Sequence, residues 1–167
     1  DCRPLRESKG HLYEGGIRVP LIVRWPGKVK AGSTSSTPVI SMDFYPTFLE
    51  VAGLKPGKKP IDGESLIPLL RQSGTLRRKA IYFHYPNYAW HMDNRLAGAV
   101  REGNWKLIRN YDDDSLELYD MSKDLSEKSN LADKRPKIAT RLNRGLSQWL
   151  KRTNAPMPRP AKPLPKK

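Results

Sequence analysis

From Ala80 onward the hydrophobic period changes twice, and that change limits the architectures open to the chain. Ala80-Ile81-Tyr82-Phe83-His84-Tyr85, Ala97 to Arg101, Trp105 to Arg109 and Leu116 to Asp120 read as four short strands. Glu102-Gly103-Asn104 and Asp112-Asp113-Asp114-Ser115 separate the last three, and pieces rich in Gly, Asn and Asp make hairpin turns. After Pro136 the period becomes helical: Ile138, Leu142, Leu146, Trp149 and Leu150 follow at spacings of 4, 4, 3 and 1. Arg141, Arg144, Lys151 and Arg152 fall mostly off that apolar stripe. Four antiparallel strands and one amphipathic helix can bury each other's faces, so this part predicts a small α+β unit.

The first 55 residues do not fit that unit. Pro20-Leu21-Ile22-Val23-Arg24-Trp25, closed by Pro26-Gly27, reads as a buried strand of the kind found in parallel sheets. Asp43 is placed to cap a helix carrying Phe44, Phe48, Leu49 and Ala52 on one face, with Pro46 in its first turn and Gly53 beyond its end. Lys55 to Pro60 is a solvated loop, and Ser65 to Leu70 a helical turn with Leu66, Leu69 and Leu70 inward. One strand and one helix cannot cover each other. The segment is therefore expected to be the end of a larger α/β domain, with the chain beginning in mid-domain, and its Asp-Cys-Arg-Pro-Leu-Arg start carries no signal-peptide pattern.

Charge narrows the partners. Lys and Arg number 31 against 17 Asp and Glu, a formal +14 that would suit a polyanion. The last 17 residues hold 6 bases and no acid, and from Ala155 to Lys167 prolines alternate with Arg159, Lys162, Lys166 and Lys167. That composition predicts an extended, disordered tail over 155–167 rather than a nucleic-acid surface. No apolar run approaches the ~20 residues of a membrane span. Cys2 is the only cysteine, which excludes an internal disulfide and a cysteine-based zinc cluster.

Lys9-Gly10-His11-Leu12-Tyr13-Glu14-Gly15-Gly16-Ile17-Arg18-Val19-Pro20 resembles the lysine-bearing motif of the sulfatases, formylglycine-dependent hydrolases of sulfuric esters in the alkaline-phosphatase superfamily. Further blocks follow in the family's order: Trp25-Pro26-Gly27, Asp43-Phe44-Tyr45-Pro46-Thr47, Asp62-Gly63-Glu64-Ser65-Leu66, Val100 to Leu107 and Leu118-Tyr119-Asp120-Met121 through Leu131. The resemblance implies the C-terminal end of an alkaline-phosphatase-like α/β/α domain over residues 1–70, then a small α+β domain over 71–154, with a four-stranded antiparallel sheet and a C-terminal helix.

It also implies roles. Lys9 matches the active-site lysine whose ammonium meets the sulfate; read alone, it is an ordinary solvated lysine. His84 and His91, with Arg95, are candidates for substrate contact, although a histidine at a strand end is more often simply hydrogen-bonded. Glu14 and Arg18 are expected to pair as scaffold. Cys2-Arg3-Pro4-Leu5-Arg6 has the C-x-P-x-R spacing of the formylglycine signature, but Glu7-Ser8-Lys9 follows at once where the family places a long stretch, so Cys2 is read as a bystander. The nucleophile's precursor and the calcium ligands are expected upstream of Asp1, and no metal ligand is assigned here; Asp112-Asp113-Asp114 lacks the spaced ligands of a calcium loop. The implied substrate is a sulfated carbohydrate or an aryl sulfate ester, met outside the cytoplasm, and this chain alone is expected to be inactive. Rival readings are a phosphoesterase or phosphonate hydrolase of the same superfamily and a non-enzymatic polyanion-binding module.

Overall fold

The computed structural model describes residues 2–87 and 94–159. These form two compact units, one built from residues 1–19 with 80–167 and the other from residues 20–79.

The first unit holds the expected sheet. Strands β1 (Ala80–Tyr85), β2 (Ala97–Glu102), β3 (Trp105–Asn110) and β4 (Leu116–Asp120) pair antiparallel in the order β1-β2-β3-β4. A two-residue turn joins β2 to β3, because Glu102 pairs with Trp105. Gly103 there takes a φ of 55°, which glycine adopts without the steric cost a Cβ would carry. The long helix (Pro136–Arg152) lays Ala139, Leu142, Leu146 and Leu150 on Val100, Leu107 and Leu118. Tyr82 stacks on Trp149 with ring centroids 5.2 Å apart.

The opposite face of the sheet is also covered. Ala97, Ala99, Ile108 and Tyr119 pack with Met121 and with Tyr13 from the N-terminal segment. Strand β2 is therefore buried along Ala97–Val100, as a strand with both faces covered must be. Sequence patterning assigned residues 1–19 to other surroundings; in the structure they pack with the sheet.

In the second unit the expected strand at Pro20–Trp25 is absent. Leu21, Ile22 and Val23 are exposed, Ile22 at 89%. A strand needs a neighbour for its backbone groups, and β1 to β4 pair only with one another. The predicted helix forms as Phe44–Val51, with Pro46 in its first turn, but Phe48 is 66% exposed and stacks on Phe44. In the turn of helix at Ile67–Leu70, Leu66 and Ile67 are the buried side chains, while Leu69 and Leu70 are half-buried. Asp43 does not act as the side-chain cap of its helix. Fully buried, it instead accepts the amides of Ile40 (2.9 Å) and Glu64 (3.0 Å) and a two-pronged pair from Arg78 at 2.6 and 2.8 Å.

That arrangement fixes a pH response. Burial alone would raise the Asp43 carboxyl; the Arg78 hydrogen bonds, the two amides and the guanidinium charge outweigh it and hold the carboxyl below its usual range. A depressed folded value means that Asp43 stabilises above the unfolded value of ~3.9 and loses that contribution as pH falls through the folded one. Asp43→Asn is expected to cost about 2 kcal/mol at neutral pH and to flatten the acid limb of the stability curve. Amide exchange at Ile40 and Glu64 reads this directly; unchanged protection in the variant would reject the role.

The start of the tail differs from the expected disorder. The Ala155 amide donates to Leu150 at 3.0 Å, and Ala155 packs against the helix-side core. Lys162, Lys166 and Lys167 lie outside the described residues.

Candidate functional site

Lys9 stands at the tip of a loop. The His11 amide donates to the Ser8 carbonyl at 3.2 Å, closing a turn whose third residue, Gly10, has a φ of 101°. Lys9 is exposed, and among the described residues no hydrogen bond or ion pair engages its ammonium.

The loop around that tip is closed on itself. The Gly15 amide donates to the Arg6 carbonyl at 2.9 Å. A Cβ on Gly15 would stand 2.1 Å from the Glu7 carbonyl oxygen, and one on Gly16 2.1 Å from that of His11. Both positions therefore need glycine, because backbone oxygens at such distances cannot yield cheaply. Asn94 donates its side-chain amide to the Gly10 carbonyl, which brings the start of β2 to the foot of the lysine turn.

Two carboxylates tie the loop to the sheet. Glu117 on β4 accepts Tyr13 Oη at 2.8 Å, Asn110 Nδ2 at 3.1 Å and the Tyr119 hydroxyl, and pairs with Arg6 at 3.3 Å. Burial by itself would raise its carboxyl, but the hydrogen bonds from Tyr119, Tyr13 and Asn110 and the Arg6 charge leave it below the usual carboxylate range. Both phenols are pushed upward, first by burial and then by donating to Glu117. Arg6 also donates to Tyr119 Oη (2.9 Å) and the Glu127 carbonyl (3.1 Å), with its guanidinium 3.9 Å from the centre of the Tyr13 ring.

The second carboxylate is Glu127, fully buried. Its Oε2 accepts the Glu14 amide at 2.6 Å, and its Oε1 lies 2.8 Å from Lys106 Nζ as an ion pair without hydrogen-bond geometry. Lys106, 1% exposed on β3, also donates to Glu14 Oε1 at 2.9 Å. The expected Glu14–Arg18 pair forms at 3.5 Å.

The other candidates fall elsewhere. His84, near the end of β1, has both ring nitrogens engaged: Nδ1 with Tyr111 Oη at 2.7 Å and Nε2 with the Pro156 carbonyl at 2.8 Å. The Pro156 carbonyl can only accept, so Nε2 is the donor of that bond, and burial pushes the Tyr111 phenol up to about 12. Arg95 is exposed beside the buried Asn94. His91 lies outside the described residues. Cys2 is an exposed free thiol. Among the described residues no three His, Cys, Asp or Glu side chains gather as a metal site, and no helix is long and apolar enough to cross a membrane.

Sequence reasoning named Lys9 but missed the side chains beneath it: Arg6, Tyr13, Lys106, Glu117 and Glu127. The available signal was the strand alternation itself. Lys106 and Glu117 share inward parity with Ile108 and Tyr119, and a cation and a carboxylate at such positions announce a polar partner.

The antiparallel sheet thus carries a helix on one face and a lysine-tipped loop on the other, the arrangement found in the C-terminal part of the alkaline-phosphatase-like hydrolases that its structure matches. A family model, N-sulphoglucosamine sulphohydrolase, C-terminal, matches residues 8–154. The chain belongs to the sulfatase family, of which it covers the C-terminal portion. A sulfatase of Formosa agariphila is 36% identical over 92% of this chain and 30% of its own length. An N-acetylglucosamine-6-O-sulfatase of Bacteroides thetaiotaomicron is 44% identical over 76% of this chain and 23% of its own. A protein solved in complex with its substrate D-glucosamine-2-N,6-O-disulfate superimposes with a TM-score of 0.69 at 37% identity, over 81% of this chain and 29% of that one. The chain thus spans less than a third of the length of the relatives it matches.

Proposed function

We propose that the chain is the C-terminal part of a hydrolase of sulfate monoesters, in which Lys9 contacts the sulfate and residues around β1 and β2 shape the substrate cleft. The observation carrying this is the exposed ammonium of Lys9, free of partners among the described residues, on a loop held rigid by the sheet within a region matching the sulfatase model. Hydrolysis transfers the sulfuryl group from the ester oxygen to a nucleophile, breaking the sulfur–oxygen bond and returning a proton to the leaving alcohol. Charge accumulates on the sulfuryl and leaving oxygens, and a compact ammonium with three donors stabilises it. The relatives support a sulfated carbohydrate as substrate, with a glucosamine sulfate the foremost candidate; an aryl sulfate is the simplest probe. His84, His91 and Arg95 stay candidates for holding the sugar.

In the whole protein, residues 1–70 complete the catalytic α/β domain, with the stretch 1–19 also packed on the sheet of the small domain over 71–154, and 155–167 are a basic tail. The apolar side chains exposed in the second unit, Leu21, Ile22, Phe44 and Phe48 among them, fit a surface that further protein covers. By the family resemblance, formylglycine would supply the nucleophile and calcium would supply positive charge beside the sulfate. Among the described residues no three His, Cys, Asp or Glu side chains gather, and this reading places the metal ligands and the nucleophile's precursor in the part of the relatives that this chain does not cover. An extracytoplasmic site of action belongs to the same reading.

The test compares the full-length protein with this chain alone on an aryl sulfate, glucosamine 6-sulfate and an aryl phosphate. Turnover of the sulfate esters by the full-length protein only is the expected result. Turnover by the chain alone, or preference for the phosphate, would overturn the reading.

A further inference from the structure

We infer that Arg6, Tyr13 and Glu14 are positioning residues that act through Lys9, with the second face of the sheet as their base. The inference rests on the reading of Lys9 as the sulfate-contacting group.

The argument is one of placement. Lys9 has no partner of its own among the described residues, so its ammonium is aimed only by the turn that carries it, which the Ser8–His11 bond closes. Three residues before it, Arg6 is held by Glu117, the Tyr119 hydroxyl and the Glu127 carbonyl. Four and five residues after it, Tyr13 is held by Glu117 and Glu14 by Lys106 and Glu127. The two arms meet, since Arg6 lies on the Tyr13 ring and its carbonyl accepts the Gly15 amide. Beyond these contacts within the loop, the anchors Glu117, Tyr119, Lys106 and Glu127 lie on the sheet or on the turn behind it. A lysine used only for solubility needs no such support, and four ionisable side chains with little or no exposure are a costly way to provide it. A cation that must meet a developing charge gains from it, because a displacement of about 1 Å can cost as much as 100-fold in rate.

The experiment is a double-mutant cycle in the full-length protein. Tyr13→Phe removes one hydroxyl and Glu14→Gln one charge, each with little change of shape. Both are measured with Lys9 intact and in a Lys9→Ala background, on a nitrophenyl sulfate. With Lys9 present, each is expected to lower kcat by about 10- to 100-fold while KM changes less than about threefold. Without Lys9, each is expected to change kcat by less than about twofold, because the group they aim is gone. Equal losses in both backgrounds would mean a purely structural role and overturn the inference while leaving the function intact. No loss from Lys9→Ala itself would overturn the reading of Lys9, and the inference with it. Should Glu14→Gln fail to fold, Tyr13→Phe, which leaves every charge in place, carries the test alone.

Discussion

Replacing Lys9 by alanine in the full-length protein is expected to lower kcat on a sulfate ester by about 10²- to 10³-fold, the usual cost of deleting one preorganised donor from a charge-stabilising site. The melting temperature is expected to stay put. Lys9 is exposed and free of partners among the described residues, and surface substitutions of that kind stay within about 0.5 kcal/mol. Such a split between rate and stability separates a chemical group from a structural one. Lys9→Arg keeps the charge but replaces a compact ammonium with a planar fork, so it should recover only part of the loss. Steady-state kinetics beside a thermal melt decides the matter; kcat/KM within threefold of wild type would end the assignment.

Why that lysine was legible while its support was not follows from what each depends on. The strands from Ala80 to Asp120 and the helix after Pro136 are periodic and local, and each appears where its pattern lies. The lysine motif is a contiguous string. The face of the sheet that receives it is a matter of long-range packing: Tyr13 meets Glu117 across 104 residues and Glu14 meets Lys106 across 92. No window of sequence contains both partners. The failed strand at Leu21–Trp25 has the opposite cause, because its apolar pattern is genuine but the pairing it calls for has no partner within the chain's own sheet. Asp43 misled for a third reason. An acid before a helix suggests a cap, yet a guanidinium 35 residues away captures it more strongly than its own helix does.

The buried cation beneath the loop sets the second large effect. Lys106→Met is expected to destabilise the chain by about 3–5 kcal/mol, because a buried ion without its partner costs more than the pair contributed. Lys106 Nζ faces Glu127 at 2.8 Å and Glu14 at 2.9 Å, and removing it leaves Glu127, fully buried, with the Glu14 amide alone. The pH dependence follows from Glu127. Burial raises its carboxyl above the ordinary value, against the opposing pull of Lys106 and the Glu14 amide. A group whose folded value is raised adds its full stability below the unfolded value of ~4.3 and gives it up as pH rises through the folded one. Without Lys106 that rise grows, so the penalty of the variant should be largest at neutral pH and shrink on acidification as Glu127 takes up a proton. Adding Glu127→Gln to Lys106→Met removes the stranded charge while an amide oxygen still accepts the Glu14 N–H, and about 1–2 kcal/mol should return. Urea unfolding followed by the fluorescence of Trp105 and Trp149, which both pack on the helix-side core, measures all three proteins. A Lys106→Met variant within 1 kcal/mol of wild type, or a second substitution that deepens the loss, would show that the two carboxylates do not depend on Lys106, and that the sheet holds the lysine loop by shape rather than by charge.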